Sequence, residues 1–276
     1  MSVFALLDGK PTAAVPATDR GLAYGDGLFE TIQVRAGRPL FLSVHLERLL
    51  DGCRRLDLAL DQPRLRAEIA GLLPADAEGV LKLIVSRGGG GRGYRPQPGA
   101  PAQRLVLFFP QHFGTDHAHP GVEARLCRQR LAEQPALAGM KHLNRLEQVL
   151  ARAEWSSPAI AEGLMQDTAG RLVEGTMSNL FLVRDGVLLT PSLGRCGVAG
   201  VLRRLVLERL APACGVPARE LDLTVDDLIA ADEVFLTNSV IGIWPVLKID
   251  CLHKQRGDVS IALQRHLQVL IDDEIR

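Results

Sequence analysis

Apolar and polar residues alternate in short runs at the start of the chain. Two of these runs, at residues 3–12 and 28–42, are each broken by a two-residue turn, Asp8-Gly9 in the first and Ala36-Gly37 in the second. An alternating run that reverses across such a dipeptide is typical of a β-hairpin. The pattern therefore predicts that the chain begins with antiparallel strands.

A helical period replaces this alternation at residues 43–57, where Ser43 is the predicted helix cap. A second helix is predicted over residues 64–73. Residues 80–87 and 104–110 read as two further strands, separated by a glycine-rich loop. The apolar stripe of the first helix consists of Leu46, Leu49, Leu50, Cys53 and Leu56.

Turn-forming residues are concentrated at residues 111–121, which we interpret as a domain boundary. The predicted domains are a small N-terminal α+β domain at residues 1–113 and a larger domain at residues 121–276. A linker at residues 114–120 is expected to join them.

The clearest helical pattern of the second half covers residues 141–155. Short strands follow, with a hairpin turn at Asp185-Gly186, and then a helix over residues 197–215. A short helix from about Val225 and a last helix at residues 261–271 complete the prediction. The apolar stripe of the first of these helices consists of Leu143, Leu146, Val149, Leu150 and Ala153.

Composition narrows the classes of function. The 32 basic and 32 acidic residues balance, so nothing favours nucleic acid or an anionic membrane as a partner. No stretch is apolar for long enough to span a bilayer, and the first residues do not read as a secretory signal. The five cysteines are odd in number and scattered, which argues against a disulfide framework or a zinc site. We therefore expect a cytoplasmic protein.

Two motifs resemble ligand-binding sites, a dinucleotide site and a metal site, that the neighbouring residues do not favour. Gly88, Gly90 and Gly93 fit a dinucleotide-binding pattern, but the prolines that follow cannot begin the helix that such a site needs. The same loop could instead place Arg92 and Tyr94 near an anionic substrate, or it could be a flexible hairpin loop. The histidines of the boundary segment lack an acidic or cysteine partner, so a solvated linker is favoured over a metal site; they are His112, His117 and His119.

Lys141 is the strongest candidate for a catalytic residue. We place it at the start of the helix at residues 141–155, with His142 and Arg145 nearby. A lysine amine acts as a nucleophile at neutral pH only when it is partly desolvated or flanked by cations. Spacing alone leaves open both a surface lysine and a Schiff-base lysine.

Other polar positions are equally ambiguous when each is taken alone. Glu174, where a strand meets a turn, is either a turn carboxylate or the partner of a pyridinium nitrogen. The helix start at residues 200–202 has backbone N–H groups that suit a phosphate, as every helix start does. Residues 237–239 offer hydroxyl groups, and Arg48 offers a cation on a helix.

Taken together and in order, these segments resemble the fold-type IV pyridoxal-phosphate enzymes, which include the branched-chain and D-amino-acid aminotransferases. The resemblance covers nearly the whole chain. Its motifs are residues 19–31 (DRGLAYGDGLFET), His45-x-x-Arg48, Lys141, residues 174–179 (EGTMSN), residues 200–203 (GVLR) and Asn238-Ser239.

Two stretches resemble one branch of that family, the aminodeoxychorismate lyases: residues 86–94 (SRGGGGRGY) and residues 139–150 (GMKHLNRLEQVL). The resemblance implies a lyase that converts 4-amino-4-deoxychorismate to 4-aminobenzoate and pyruvate, with pyridoxal 5'-phosphate (PLP) as cofactor. A D-amino-acid or branched-chain aminotransferase is the main alternative. A binding protein without turnover is a further one.

The resemblance also implies a role for each matching residue. Lys141 would be the Schiff-base lysine that moves the proton, and Glu174 would pair with the pyridine nitrogen. Tyr24 falls at a substrate-facing position, while Arg92 and Tyr94 are candidates for the substrate carboxylates. The remaining cofactor-binding residues would hold the phosphate, pack on the ring or support Glu174; they are Arg48, Asn179, Val198, Val201, Leu202, Asn238 and Ser239.

The architecture implied by the resemblance is α+β with two domains. A small α/β sandwich domain and a larger domain with a β-barrel-like core would enclose the cofactor. Homodimers are usual in the family, and the loop near Arg92 would reach the neighbouring subunit's site.

Overall fold

The computed structural model describes residues 4–90, 93–97, 99–113 and 120–276. The chain divides into two compact units. The first comprises Met1–Gly114, Met140–Asn144 and Asp273–Arg276, and the second comprises Thr115–Gly139 and Arg145–Asp272. Most of the predicted linker lies outside the described residues, as do His117 and His119, and the predicted domain bounds stay a prediction.

The first unit is built on a six-stranded sheet in which every neighbouring pair is antiparallel. Along the sheet the strand order is β2-β1-β6-β5-β3-β4. Its strands are β1 (Phe4–Leu7), β2 (Lys10–Pro11), β3 (Gly27–Arg35), β4 (Arg38–Pro39), β5 (Gly79–Ser86) and β6 (Gln103–Pro110), and its helices are α1 (Arg20–Tyr24), α2 (Leu42–Leu56) and α3 (Gln62–Leu72).

Three hairpin turns follow the prediction from the dipeptides. Asp8-Gly9, Ala36-Gly37 and Asp185-Gly186 each place two consecutive residues at positive φ, between 46° and 80°. Two positive φ angles match the right-handed twist of the flanking strands, which is why glycine is favoured at the second position. All three predicted turns are confirmed.

Helix α2 packs its apolar stripe against β3. Leu46, Leu49 and Cys53 are buried as predicted. The predicted cap at Ser43 is wrong, because α2 begins at Leu42 and the residue before it, Phe41, has a left-handed backbone conformation. The Phe41 side chain is itself buried, so its packing fixes where the helix starts.

The second unit is built on a nine-stranded sheet, six strands of which close into a ring. The ring runs β10-β13-β14-β7-β8-β9 and returns to β10 through the pairing of Asn179 with Glu174. Its strands are β7 (Val122–Leu131), β8 (Ile160–Asp167), β9 (Leu172–Gly175), β10 (Asn179–Arg184), β13 (Glu233–Asn238) and β14 (Gly242–Ile249); β11 (Val187–Pro191), β12 (Ala218–Leu221) and β15 (Leu252–His253) extend the sheet.

This closed ring confirms the β-barrel-like core, and with it the predicted fold class. Strands β10 and β13 are buried on both faces, which explains their continuous apolar sequences. One face packs leucines and valines together, and on the other Phe181 stacks on Phe235 with ring centroids 5.0 Å apart. The helices are α4 (Leu146–Arg152), α5 (Val201–Leu205), a π-helical turn (Val206–Leu210), α6 (Ala211–Ala213), α7 (Val225–Ala230) and α8 (Asp258–Ile275).

Helix α4 corrects the prediction for residues 141–155. It is shorter, and its predicted apolar stripe is not buried. The helix turns Ala151 and Gln148 toward the protein, because Ala151 is small enough for close packing on β7 and β8. The side chain of Glu147 accepts the backbone N–H of Ala132 (2.8 Å). An apolar face of α4 is left exposed, formed by Leu146, Val149 and Leu150.

Within the described part of the chain, no helix combines the length and the apolar character needed to cross a membrane. All five cysteines lie in that part and are free thiols. The glycine-rich loop is followed by strand β6 rather than by a helix, as the argument against a dinucleotide site requires.

Candidate active site

Lys141 lies in an extended segment of the first unit, and not at a helix start as predicted. The segment pairs with the beginning of β3: the Phe29 N–H donates to the Lys141 carbonyl (2.9 Å), and the Leu143 N–H donates to the Gly27 carbonyl (3.0 Å). These bonds satisfy the backbone in an extended conformation, so α4 begins only at Leu146. The Lys141 amine lies 4.3 Å from the centroid of the Phe29 ring.

A buried carboxylate, Glu30, connects β3 with α2. Its Oε1 accepts from Nε of Arg48 (2.8 Å), and its Oε2 accepts from Nη2 of the same guanidinium (2.5 Å). Nδ1 of His45 lies 2.6 Å from Oε2. Arg48, the predicted phosphate ligand, is therefore held in a fixed orientation by Glu30, for which the sequence analysis predicts no role.

The charges of this cluster favour an ionised Glu30 and a neutral His45. Burial would raise the pKa of Glu30, but the positive charge of Arg48 and the hydrogen bonds from His45 and Arg48 outweigh it and lower the pKa to about 2. Burial lowers the pKa of His45, and the charges of Arg48 and Lys141 lower it further against the attraction of Glu30. A neutral His45 that donates from Nδ1 to the carboxylate presents a bare Nε2. That buried atom has no hydrogen-bond partner among the described residues.

A signal for Glu30 was present in the sequence. It alternates with Leu28 and Ile32 on the face of β3 that α2 covers, so it is a charge on an apolar face. Such a charge needs a partner, and Arg48 was the available cation. Which helical residues would meet it depended on the packing of α2.

In the second unit, Glu174 and Asn179 face each other where the barrel closes. Both residues bind the backbone of Val198: Glu174 Oε2 accepts its N–H (2.8 Å), and Asn179 Nδ2 donates to its carbonyl (2.8 Å). The three predicted residues thus form one cluster. Burial lowers the pKa of the nearby Arg145 guanidinium, while the charge of Glu174 acts in the opposite direction.

Two glycines allow the segment around Val198 to lie on this pair. Gly197 has φ +86°, and a Cβ there would come within 2.8 Å of the side chain of Val173. A Cβ on Gly200 would lie 1.9 Å from Oδ1 of the Asn179 side chain. The backbone therefore approaches the two polar side chains more closely than any larger residue would permit.

The helix start at Gly200 and the strand end at Ser239 are the predicted phosphate-binding elements of this unit. Gly200 contributes no side-chain cap to α5, and the Val201 and Leu202 side chains are buried. Asn238 does not point freely toward a ligand. Its Nδ2 donates to the Met177 carbonyl (3.0 Å), while its Oδ1 accepts from the N–H groups of residues 240 and 241 (2.8 and 2.9 Å).

The predicted substrate residues are organised by Arg20. Its guanidinium donates to the carbonyls of Gly93 and Tyr94 (2.8 Å each) and to Asp26 (2.9 Å). The rings of Tyr24 and Tyr94 meet edge to face with centroids 5.4 Å apart. Tyr94 is 83% exposed, so it is accessible to a ligand. Arg92 lies outside the described residues.

The predicted cofactor residues thus fall into two groups. Lys141 and Arg48 belong to the first compact unit, and the other group, in the second unit, consists of Glu174, Asn179, Val198, Val201, Leu202, Asn238 and Ser239. No cluster of three or more histidine, cysteine or acidic side chains suited to a metal ion occurs among the residues that the structure describes.

The sequence and the fold of this chain are similar to those of several known proteins. A 4-amino-4-deoxychorismate lyase from Pseudomonas aeruginosa has a crystal structure that superposes with a TM-score of 0.91, at 52% identity, over 96% of this chain and 98% of its own. An aminodeoxychorismate lyase from Vibrio harveyi is 39% identical over 267 residues, which are 95% of this chain and 97% of its own. A putative branched-chain-amino-acid aminotransferase from Methanocaldococcus jannaschii is 32% identical over 264 residues, with coverages of 91% and 89%.

The sequence profile of amino-transferase class IV matches residues 27–249. This match confirms the resemblance to the fold-type IV enzymes, a family that uses PLP and contains both lyases and aminotransferases. The chain is a member of the amino-transferase class IV family, and the matched region runs from β3 to β14.

Proposed function

We propose that this chain is a PLP-dependent lyase that converts 4-amino-4-deoxychorismate to 4-aminobenzoate and pyruvate. The observation that carries the proposal is its similarity to the Pseudomonas aeruginosa lyase, at 52% identity over 96% of the chain. The lyase from Vibrio harveyi supports the same activity.

The chemistry of the available donors fits PLP. The cofactor has a phosphate, a pyridine nitrogen and an aldehyde. The chain offers the Arg48 guanidinium, the first N–H groups of α5 and the Ser239 hydroxyl for the phosphate. Glu174 is a buried carboxylate for the nitrogen, and Lys141 is a primary amine for the aldehyde. The close fit of Gly200 against Asn179 supports a preformed site in the second unit.

When bound, PLP supplies an electron-accepting ring that stabilises negative charge on the carbon next to the substrate nitrogen. Lys141 would take the proton from that carbon as a general base. Glu174 would hold a proton at the ring nitrogen, and Val198 would pack on the ring. Loss of the proton and cleavage of the C–O bond to the enolpyruvyl group make the substrate ring aromatic. The group leaves with the bonding electrons as the enolate of pyruvate, and Lys141 would return the proton to its methylene carbon to give pyruvate.

The substrate carries two carboxylates, which require cations or hydroxyl groups. We propose Tyr24 and Tyr94 for this role together with Arg92. The edge-to-face contact of the two tyrosines and the hold of Arg20 on the carbonyls of Gly93 and Tyr94 support the placement of this loop beside α1.

The direct test uses purified protein with aminodeoxychorismate generated in situ from chorismate and glutamine by a separate synthase. We expect 4-aminobenzoate, followed by its fluorescence, and an equal amount of pyruvate. Lys141→Ala should abolish turnover and the visible absorbance of bound PLP. Lys82→Ala is the matched control, because the Lys82 amine also lies near the Phe29 ring (5.5 Å from its centroid) but has no proposed role.

An aminotransferase is the second candidate, favoured by the similarity to the Methanocaldococcus jannaschii protein. Both reactions begin when a lysine removes a proton next to the amine. A transaminase keeps the carbon skeleton intact, whereas a lyase releases pyruvate. A PLP-containing protein that forms no 4-aminobenzoate but transfers the amino group of D-amino or branched-chain amino acids would establish this alternative.

We further propose a cytoplasmic homodimer. The exposed face of α4 supports it, because Leu146, Val149 and Leu150 are between 51% and 68% exposed within a single chain. A second copy of the chain would cover these side chains. Sedimentation should show a dimer, and Val149→Asp should shift it toward monomer. Ile229→Asp on α7, at an equally exposed position, should leave the dimer intact.

A further inference from the structure

Glu162, on β8, is completely buried, and its hydrogen-bond donors among the residues that the structure describes are all neutral. Its Oε1 accepts the N–H (3.1 Å) and the hydroxyl (2.5 Å) of Thr176. Its Oε2 accepts the N–H of Met177 (3.2 Å) and the hydroxyl of Ser178 (2.8 Å). Four donors of one short segment thus converge on a single carboxylate.

That segment, residues 175–178, is the turn that joins β9 to β10. It lies directly between Glu174 and Asn179, the pair that closes the barrel and holds Val198. The turn is too closely packed for a side chain at Gly175, because a Cβ there would lie 2.2 Å from the Ser178 hydroxyl and 2.9 Å from Glu162 Oε2.

From this geometry we infer that Glu162 is a positioning residue, which sets the turn at residues 175–178 and thereby the placement of Glu174 and Asn179 toward PLP. The inference rests on the proposed function for the roles of those two residues. A carboxylate suits the task, since it accepts the four hydrogen bonds of the turn together with a fifth from the Gly163 N–H (2.9 Å), and donates none. A glutamine would place its own N–H donors against the donors of the turn.

The test compares Glu162→Gln with Glu233→Gln in the full-length protein. Glu233 is also a buried carboxylate that accepts two backbone N–H groups, from Val259 and Ser260 (3.0 and 2.9 Å), but these belong to α8. Hydrogen exchange of the protein without PLP reports on each segment, and titration with PLP reports on the site. Steady-state kinetics separates kcat from KM.

We expect Glu162→Gln to accelerate hydrogen exchange at residues 174–179. PLP binding should weaken by roughly tenfold to a hundredfold, as is typical when a residue that orients a ligand-binding side chain is lost. The substitution should also lower kcat more than it changes KM. Glu233→Gln should accelerate exchange near residue 259 and leave PLP binding unchanged. If Glu162→Gln does not fold, Thr176→Val removes one of the four bonds and should shift exchange and PLP binding in the same direction by less.

Unchanged exchange at residues 174–179, or faster exchange with normal PLP binding and kcat, would overturn the inference. A wild-type protein that binds PLP but releases no pyruvate would refute the proposed lyase. The inference about Glu162 would then be tested by hydrogen exchange and PLP binding of the Glu162→Gln protein. If the wild-type protein binds no PLP, the proposed function fails. Exchange in the Glu162→Gln protein then decides whether Glu162 sets the turn.

Discussion

Glu30 in the first unit and Glu162 in the second are both almost completely buried, at 1% and 0% exposed, but their surroundings differ. Glu30 lies against a guanidinium and an imidazole, and these groups come from a helix that packs on its strand. Glu162 lies against backbone N–H groups and hydroxyls, most of them from one turn. The first arrangement depends on a full opposite charge, and the second depends on several aligned dipoles.

This difference predicts different consequences of mutation. An ion pair orients its partner, so a change at Glu30 leaves the guanidinium of Arg48, whose side chain is 15% exposed, without the carboxylate that fixes its geometry. A carboxylate that accepts from a turn orients backbone, so a change at Glu162 alters the positions of the residues that flank the turn. Both units therefore use a buried carboxylate behind the proposed cofactor residues, one to fix a side chain and one to fix a chain segment.

The largest effect is expected for Glu30→Gln. The substitution removes the counter-charge of Arg48 and should lower the free energy of unfolding by about 3 kcal/mol. PLP binding should weaken as well, by about tenfold for a misplaced phosphate ligand. Urea unfolding and PLP titration measure the two effects.

Glu68→Gln is the matched control for that experiment. Glu68 and Arg104 form another well-buried pair of the first unit, with side chains 9% and 7% exposed, but neither has a proposed role in the site. The control should lose stability and retain normal PLP binding. Equal PLP affinities in the two variants would show that Glu30 stabilises the fold without orienting Arg48.

Acid should destabilise the first unit in two steps. The pKa of Glu30 is lowered from 4.5 to about 2, so its carboxylate stabilises the folded state above 4.5 and the contribution is lost as the pH falls toward 2. That difference corresponds to roughly 3 kcal/mol. The pKa of His45 is also lowered, so the folded state resists protonation and stability falls as the pH drops below 6.5. We therefore expect the free energy of unfolding, measured in urea between about pH 8 and about pH 3, to fall in both steps in the wild type and to lack the lower step in Glu30→Gln. Parallel pH curves for the two proteins would contradict this account.

The sequence predicted those features that depend on neighbours along the chain. The hairpin turns at Asp8-Gly9 and Asp185-Gly186 require only a local preference for positive φ, and they were placed correctly. The burial of α4 was predicted on the wrong face, because a helical period shows which residues share a face but not which face the protein covers. Leu146 and Val149 were assigned to the core for that reason, and Ala151 occupies it instead.

Family motifs predict roles for Lys141, Arg48 and Glu174, but they predict none for the residues that contact them. Glu30 lies within a quoted motif, and its contact with Arg48 spans 18 positions. Glu162 precedes Thr176 by 14 positions, and their contact arises only when β8 and β9 pair. Such contacts depend on strand register and helix packing, which no short pattern encodes.

A smaller effect is expected when the second unit is overpacked at Gly200. In Gly200→Ala the new Cβ would lie 1.9 Å from Oδ1 of Asn179, so the Asn179 side chain must move away from Val198. We expect a loss of about 2 kcal/mol in unfolding free energy together with weaker PLP binding. Gly194→Ala is the control in the same loop, since the nearest atom to its Cβ would be 4.0 Å away. If both variants bind PLP like the wild type, the proposed contact between this segment and the cofactor is wrong.

The smallest effect separates a charged acceptor from a neutral one. Ser178 donates to the Glu162 carboxylate (2.8 Å), and Ser260 donates to the Gly257 carbonyl (3.0 Å); both side chains are buried. Hydrogen bonds to a charged group contribute about 2 kcal/mol and neutral ones about 1 kcal/mol. Ser178→Ala should therefore lower the free energy of unfolding about twice as much as Ser260→Ala, as measured by urea unfolding. Equal losses would mean that the charge of Glu162 is already balanced by its other donors.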